Sequence, residues 1–169
     1  MRKLLVICAA LALTLTGCAS KNDASGYSAQ ETMFASMMIP HHQQAIVMSD
    51  LALSNTSNPD VLALAEQIKA AQEPEIAQMK LWGDVDTHSH MGHVMSGMLT
   101  DDEIETLKNS RGSEFDRLFL EGMIKHHEGA ISMTEMIDES DNPEVRALAQ
   151  TIVTTQKAEI DKMRALLTR

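Results

Sequence analysis

Met38-Ile39-Pro40-His41-His42-Gln43-Gln44-Ala45-Ile46-Val47-Met48 returns 85 residues later as Met123-Ile124-Lys125-His126-His127-Glu128-Gly129-Ala130-Ile131-Ser132-Met133. Phe34 matches Phe119 at the same offset, and past a one-residue deletion the offset becomes 84. At that offset Asn58-Pro59 matches Asn142-Pro143. Val61, Ala63, Leu64, Ala65, Ile68, Gln72, Glu75, Ile76 and Met79 match Val145, Ala147, Leu148, Ala149, Ile152, Gln156, Glu159, Ile160 and Met163. Apolar residues recur every three or four positions through both copies, the spacing of one helix face. The repeated unit is a helix, an Asn-Pro turn and a second helix. One amphipathic hairpin cannot bury both of its apolar stripes, whereas two can bury them against each other. The expected fold is therefore an all-α four-helix bundle with pseudo-two-fold symmetry, its repeats spanning 33–82 and 115–167.

Boundary signals agree with this. Ser28-Ala29-Gln30-Glu31 fits a capping box opening the first helix. Asn58 before Pro59 supplies an N-cap and a proline at the first helical position. The second helix is expected to run to about Trp82, a packing residue at its end, with Pro74 kinking or restarting it. Residues 83–112 connect the repeats: a glycine-containing, aperiodic stretch, then a short helix opened by Thr100-Asp101-Asp102-Glu103 and ended by Gly112. No segment shows the alternation of a strand.

Outward from the repeats, Met1-Arg2-Lys3 followed by the apolar run Leu4–Leu15 reads as a secretory signal over residues 1–17, too short to span a membrane. Leu15-Thr16-Gly17-Cys18 resembles the lipobox of bacterial lipoproteins, which implies cleavage after Gly17 and lipid attachment at Cys18. Residues 18–30 read as a flexible tether and residues 31–169 as the domain. Ala19, where an Asp would favour retention at the inner membrane, leaves the outer one favoured. Cys8 departs with the signal, so the mature chain has one cysteine, no internal disulfide and no Cys-rich zinc site. The chain has 14 Lys and Arg; without Arg2 and Lys3, 12 face 24 Asp and Glu, a charge of −12. Nucleic acid and anionic lipid surfaces are thereby poor partners.

The chemistry sits in histidine and methionine. All seven histidines fall into three clusters: His41-His42, His126-His127, and His88, His90 and His93 in the connector. Met37, Met38 and Met48 flank the first pair, Met123, Met133 and Met136 the second, and Met91, Met95 and Met98 accompany the connector. On a helix, Met37, His41, Gln44 and Met48 form one stripe and Met38, His42 and Ala45 the next. Adjacent histidines differ by about 100° around the axis, so one of each pair can face the interior and the other a groove or the connector. Thioether plus imidazole without thiolate suits Cu(I), with Cu(II) drawn more to the histidines; His88-x-His90-x-x-His93 also suits zinc or nickel. A methionine stripe at helical spacing equally serves as core filler. A duplicated histidine pair could be a duplicated structural motif, but the connector cluster has no counterpart in the repeat. Di-iron bundles use Glu-x-x-His, and no Glu stands three before any histidine here. Neither a nucleophile elbow nor a phosphate loop is present. Glu121 and Glu128 read as solvated charges or as partners that orient an imidazole.

MIPHHQQAIVM and MIKHHEGAISM, with MSGMLTDDEIETLKNSRGSEFDRLFLEGMIKHHEGAISM around the second, resemble a bacterial family of ferritin-like domains of unknown function. Its CopM-like members are periplasmic copper binders that aid copper tolerance. The likeness covers residues 30–169. It implies a ferritin-like bundle and carries over His41, His42, Met48, His126, His127 and Met133, with Met38 and Met123, as metal ligands. Gln44 stands where the second copy has Gly129, the residue associated with the motif, so the two sites need not be equivalent. The connector's His88, His90, His93, Met91, Met95 and Met98 are an elaboration of some members.

The expected function is copper sequestration or carriage in the envelope, without catalysis, by a protein anchored through Cys18 and facing the periplasm or exterior. A copper exporter, chaperone or oxidase would be its protein partner. The rival readings are a metal-free helical module docking onto another envelope protein, and a zinc or nickel binder.

Overall fold

The computed structural model describes residues 26–83, 85–87 and 95–169. Cys18, His88, His90, Met91 and His93 lie outside the described residues. Among the described residues five helices follow one another: α1 (Ala29–Asn55), α2 (Pro59–Met79), α3 (Asp101–Asn109), α4 (Gly112–Thr134) and α5 (Pro143–Leu167). There is no strand among the described residues, and none of their helices is long and apolar enough to cross a membrane. The fold is the expected all-α, ferritin-like helical bundle.

The caps form as the sequence predicts. Ser28 Oγ accepts from Glu31 N at 3.3 Å while Ser28 N donates to the Glu31 carboxylate at 2.6 Å. Thr100 and Glu103 build the same reciprocal box on α3. Asn58 and Asn142 each accept from the backbone N–H two residues on, ahead of Pro59 and Pro143. These bonds satisfy N–H groups that the first turn of a helix leaves without partners.

Two expectations shift. α2 runs through Pro74 as one element and ends at Met79, with Trp82 three residues beyond in a turn, fully buried and stacked on Tyr27 and Phe34. Gly112 does not end α3, which stops at Asn109 with Ser110 as C-cap; at φ +56° it is the first residue of α4. The open carbonyls at this stop are met by Asn55 at the end of α1. Its side-chain amide donates to the carbonyl oxygens of Leu107, Lys108 and Ser110 at 3.0–3.2 Å, satisfying carbonyls that a helix C-terminus leaves open.

α1 packs along α2 and α4 along α5, and the two hairpins meet mainly through α1 and α4. The apolar interior is in two parts. One gathers Ala45, Met48 and Ala52 with Val61–Ile68, Phe115–Met123, Ile160 and Met163. The other gathers Phe34–Ile39 with Ile76, Met79, Trp82, Ala130–Ile137 and Val145–Ile152. On every long helix two buried polar residues fall between these parts: His41 and His42, Gln72 and Glu75, His126 and His127, Gln156 and Glu159. The bundle is thus two hydrophobic ends separated by a polar belt of eight side chains, two from each helix.

Candidate functional site

The belt is where the repeated motif meets itself. All four histidines are fully buried. His42 donates through Nε2 to Glu75 at 2.7 Å, and its repeat counterpart His127 donates to Glu159 at 2.8 Å. A histidine on the first helix of each hairpin is therefore oriented by a carboxylate on the second, both ends of the pair lying inside the bundle. His41 and His126 have no carboxylate. Their rings approach to 3.8 Å between centroids. His126 Nε2 donates to the His41 carbonyl at 3.0 Å, and His41 Nε2 donates to the Ser96 carbonyl at 3.0 Å.

These bonds set the tautomer. Carbonyl oxygen only accepts, so the Nε2 atoms of His41 and His126 carry hydrogen. Burial lowers the pKa of His41 to about 3, with the adjacent His42 adding to the effect. Burial likewise pushes His126 well below the usual imidazole value, with His41 the next cause. Both rings are therefore neutral at ordinary pH, and Nδ1 of each is a bare lone pair. Nδ1 of all four histidines, and both amide atoms of Gln72 and Gln156, find no hydrogen-bond partner among the described residues. Buried polar atoms are normally satisfied. Four unpartnered imidazole nitrogens in one layer are donors of the kind that ligate copper. Among the described residues, however, no three His, Cys, Asp or Glu side chains form a group that could hold an ion, so histidines and carboxylates alone do not make a closed cage.

The methionines divide by depth. Met38, Met48 and Met123 are fully buried and Met133 is 8% exposed, all four within the apolar parts of the core. Met37, Met95, Met98 and Met136 are half-buried, and Met33 is exposed. Met37, Met95 and Met136 pack against the same apolar part of the core, the one containing Trp82.

The sequence expectation that one histidine of each pair faces the interior and the other a groove or the connector is corrected: all four are fully buried. Their difference lies in partner, carboxylate or backbone, and not in exposure. Glu121 and Glu128 are on the outer surface, paired with Arg117 and Arg164. The carboxylates that do orient imidazoles, Glu75 and Glu159, went unassigned in the sequence although a signal was there. Gln72-x-x-Glu75 and Gln156-x-x-Glu159 recur at the 84-residue offset among otherwise apolar matches, which marks polar residues on a buried face.

Comparison with known proteins agrees with this architecture. A DUF305 fragment from Deinococcus radiodurans has 32% identity and a TM-score of 0.75, over 84% of this chain and 97% of that one. A DUF305 protein from Streptomyces coelicolor has 30% identity and a TM-score of 0.73, over 82% and 92%. CopM in its Cu(I)-bound form has 32% identity and a TM-score of 0.67, over 82% and 95%, and it is also known in Cu(II)-bound and Ag-bound forms. No curated protein matches. The family described as Domain of unknown function (DUF305) matches residues 31–167, nearly the whole described bundle, and the chain belongs to that family.

Proposed function

We propose that this protein is a non-catalytic copper-binding lipoprotein of the bacterial envelope that sequesters or carries the metal and contributes to copper tolerance. The observation that carries the reading is the polar belt, where four buried histidines leave Nδ1 without a partner in a bundle similar to copper-bound CopM. Glu75 and Glu159 would orient His42 and His127 as carboxylates orient metal-binding imidazoles elsewhere. Thioether sulfur favours Cu(I), and the half-buried methionines Met95 and Met98 are soft ligands that the connector brings to the bundle. Met38, Met48, Met123 and Met133 would support the belt from the core side, as ligands only where the core admits the ion. His88, His90, His93 and Met91 would add the connector's own donors. Lipid on Cys18 would hold the domain at the membrane, within reach of a copper exporter, chaperone or oxidase.

The test is anaerobic titration with Cu(I) against a chromophoric chelator, with Zn(II) and Ni(II) in parallel. Stoichiometric Cu(I) uptake that falls in His126→Ala/His127→Ala, counted per folded molecule, supports the reading. A folded wild-type chain that fails to compete for Cu(I) overturns it, and uptake of Zn(II) or Ni(II) in its place would reassign the metal.

A further inference from the structure

Gln44 and Gly129 hold the same place in the two repeats, and both face the same segment of the connector. Gln44 clamps Leu99 at two points: its amide nitrogen donates to the Leu99 carbonyl at 2.9 Å and its amide oxygen accepts from Leu99 N at 2.8 Å. Gly129 does the reverse and clears space. A Cβ there would lie 2.5 Å from the Ser96 carbonyl carbon and 2.8 Å from Gly97 Cα, and closer still to the Ser96 oxygen. Gly97 answers from the other side. Its φ is +81°, and a Cβ on it would meet Gly129 Cα at 2.9 Å and the His126 carbonyl at 3.0 Å. His41 completes the contact by donating to Ser96 O at 3.0 Å. The strap 95–99 is thus fastened to the His-His motifs of both repeats, through residues that differ between the copies because only one connector has to be seated.

We propose that Gln44 and Gly129 are positioning residues that hold Met95 and Met98 against the bundle beside His41 and His126, preorganising thioethers for a soft monovalent cation of the Cu(I) or Ag(I) class. The docked strap seats Met95 on the apolar surface that also carries Met37 and Met136, the thioethers nearest to it in burial and setting. Holding the strap in place before the ion arrives removes the ordering cost that a mobile ligand would meet on binding. The inference rests on the copper reading above, and the two are separable by experiment.

The experiment takes the full chain and its Gln44→Ala, Gly129→Ala and Met95→Leu variants. Two quantities are read: amide exchange at Leu99 without metal, and Cu(I) affinity by chelator competition per folded molecule. Gly129 lies inside α4, so alanine there suits the helix and disturbs only the strap. The expected result is Leu99 exchange faster by at least about tenfold in Gln44→Ala and Gly129→Ala, as a local opening becomes easier. Cu(I) affinity should fall about 10- to 100-fold in both, the range typical when a residue that orients a ligand is lost. Met95→Leu should keep the slow exchange and lose affinity. Unchanged Leu99 exchange in both strap variants overturns the docking. Faster exchange with unchanged Cu(I) affinity overturns the positioning role and leaves a structural clamp. A folded wild type that takes up no Cu(I) overturns the copper reading itself, and the exchange data then report the docking alone.

Discussion

His126 donates its Nε2 hydrogen to the backbone carbonyl of His41 at 3.0 Å, and the two imidazoles lie with centroids 3.8 Å apart. Equivalent residues of the two repeats thus touch at the centre of the bundle, one ring bonded to its counterpart's backbone and the other turned to Ser96 of the connector. The contact joins α1 to α4, so it ties one hairpin to the other where the core is polar.

The burial of these two rings predicts a specific acid sensitivity. An unfolded histidine titrates near 6.5, whereas folded His41 titrates at about 3 and His126 well below its usual value. Below pH 6.5 the unfolded chain gains protons that the folded chain refuses. Stability is therefore fully present above that pH and lost as pH falls toward 3. The slope approaches about 1.4 kcal/mol per pH unit for each ring. Urea midpoints at pH 7, 6 and 5 should fall steadily, and His41→Asn should flatten the dependence. An equal slope in the variant would refute the assignment.

The buried His-carboxylate pairs predict matching costs in the two repeats. Glu159→Ala strands a buried Nε2–H on His127, and Glu75→Ala does the same to His42. Each should cost roughly 1–3 kcal/mol, rising toward 3–5 if the pair is ionic. Glu159→Gln, which keeps an acceptor, should recover most of the loss. Denaturant unfolding of the three variants checks this; a cost below experimental error for either alanine variant would contradict it.

Asn55 predicts a coupling between α1 and the short helix. Its amide serves three carbonyls at the α3–α4 junction, so Asn55→Ala leaves buried acceptors unpaired and should cost about 1–3 kcal/mol. Asn142→Ala, which removes only an N-cap, should cost about 1 kcal/mol. Amide exchange should show α3 loosened in the first variant and unaffected in the second.

The depth of the methionines predicts which carry copper. Met48→Leu and Met38→Leu exchange one fully buried apolar side chain for another of similar volume, at a cost below about 1.5 kcal/mol, with Cu(I) uptake retained. Met95→Leu with Met98→Leu, at half-buried residues, should lower uptake while leaving the unfolding midpoint nearly unchanged. Loss of uptake in the buried pair alone would reverse the assignment.

Much of this molecule is decided within a few residues of chain. Hydrophobic spacing, the Ser28–Glu31 and Thr100–Glu103 boxes and the Asn-Pro starts act between neighbours along the backbone. Helix number, hairpin pairing and the all-α fold follow from the sequence for that reason, as does the internal duplication. The partners within the site do not. Glu75 and Glu159 stand 33 and 32 residues from the histidines they orient, on a different helix. Glu121 and Glu128, close to the second pair in sequence, point outward to arginines. Which carboxylate meets an imidazole depends on the rotation and register of one packed helix against another, quantities absent from local spacing. The same holds for Gln44 and Gly129. Their difference is visible in the sequence, but its meaning requires the strap from Met95 to Leu99 to be lying across both repeats.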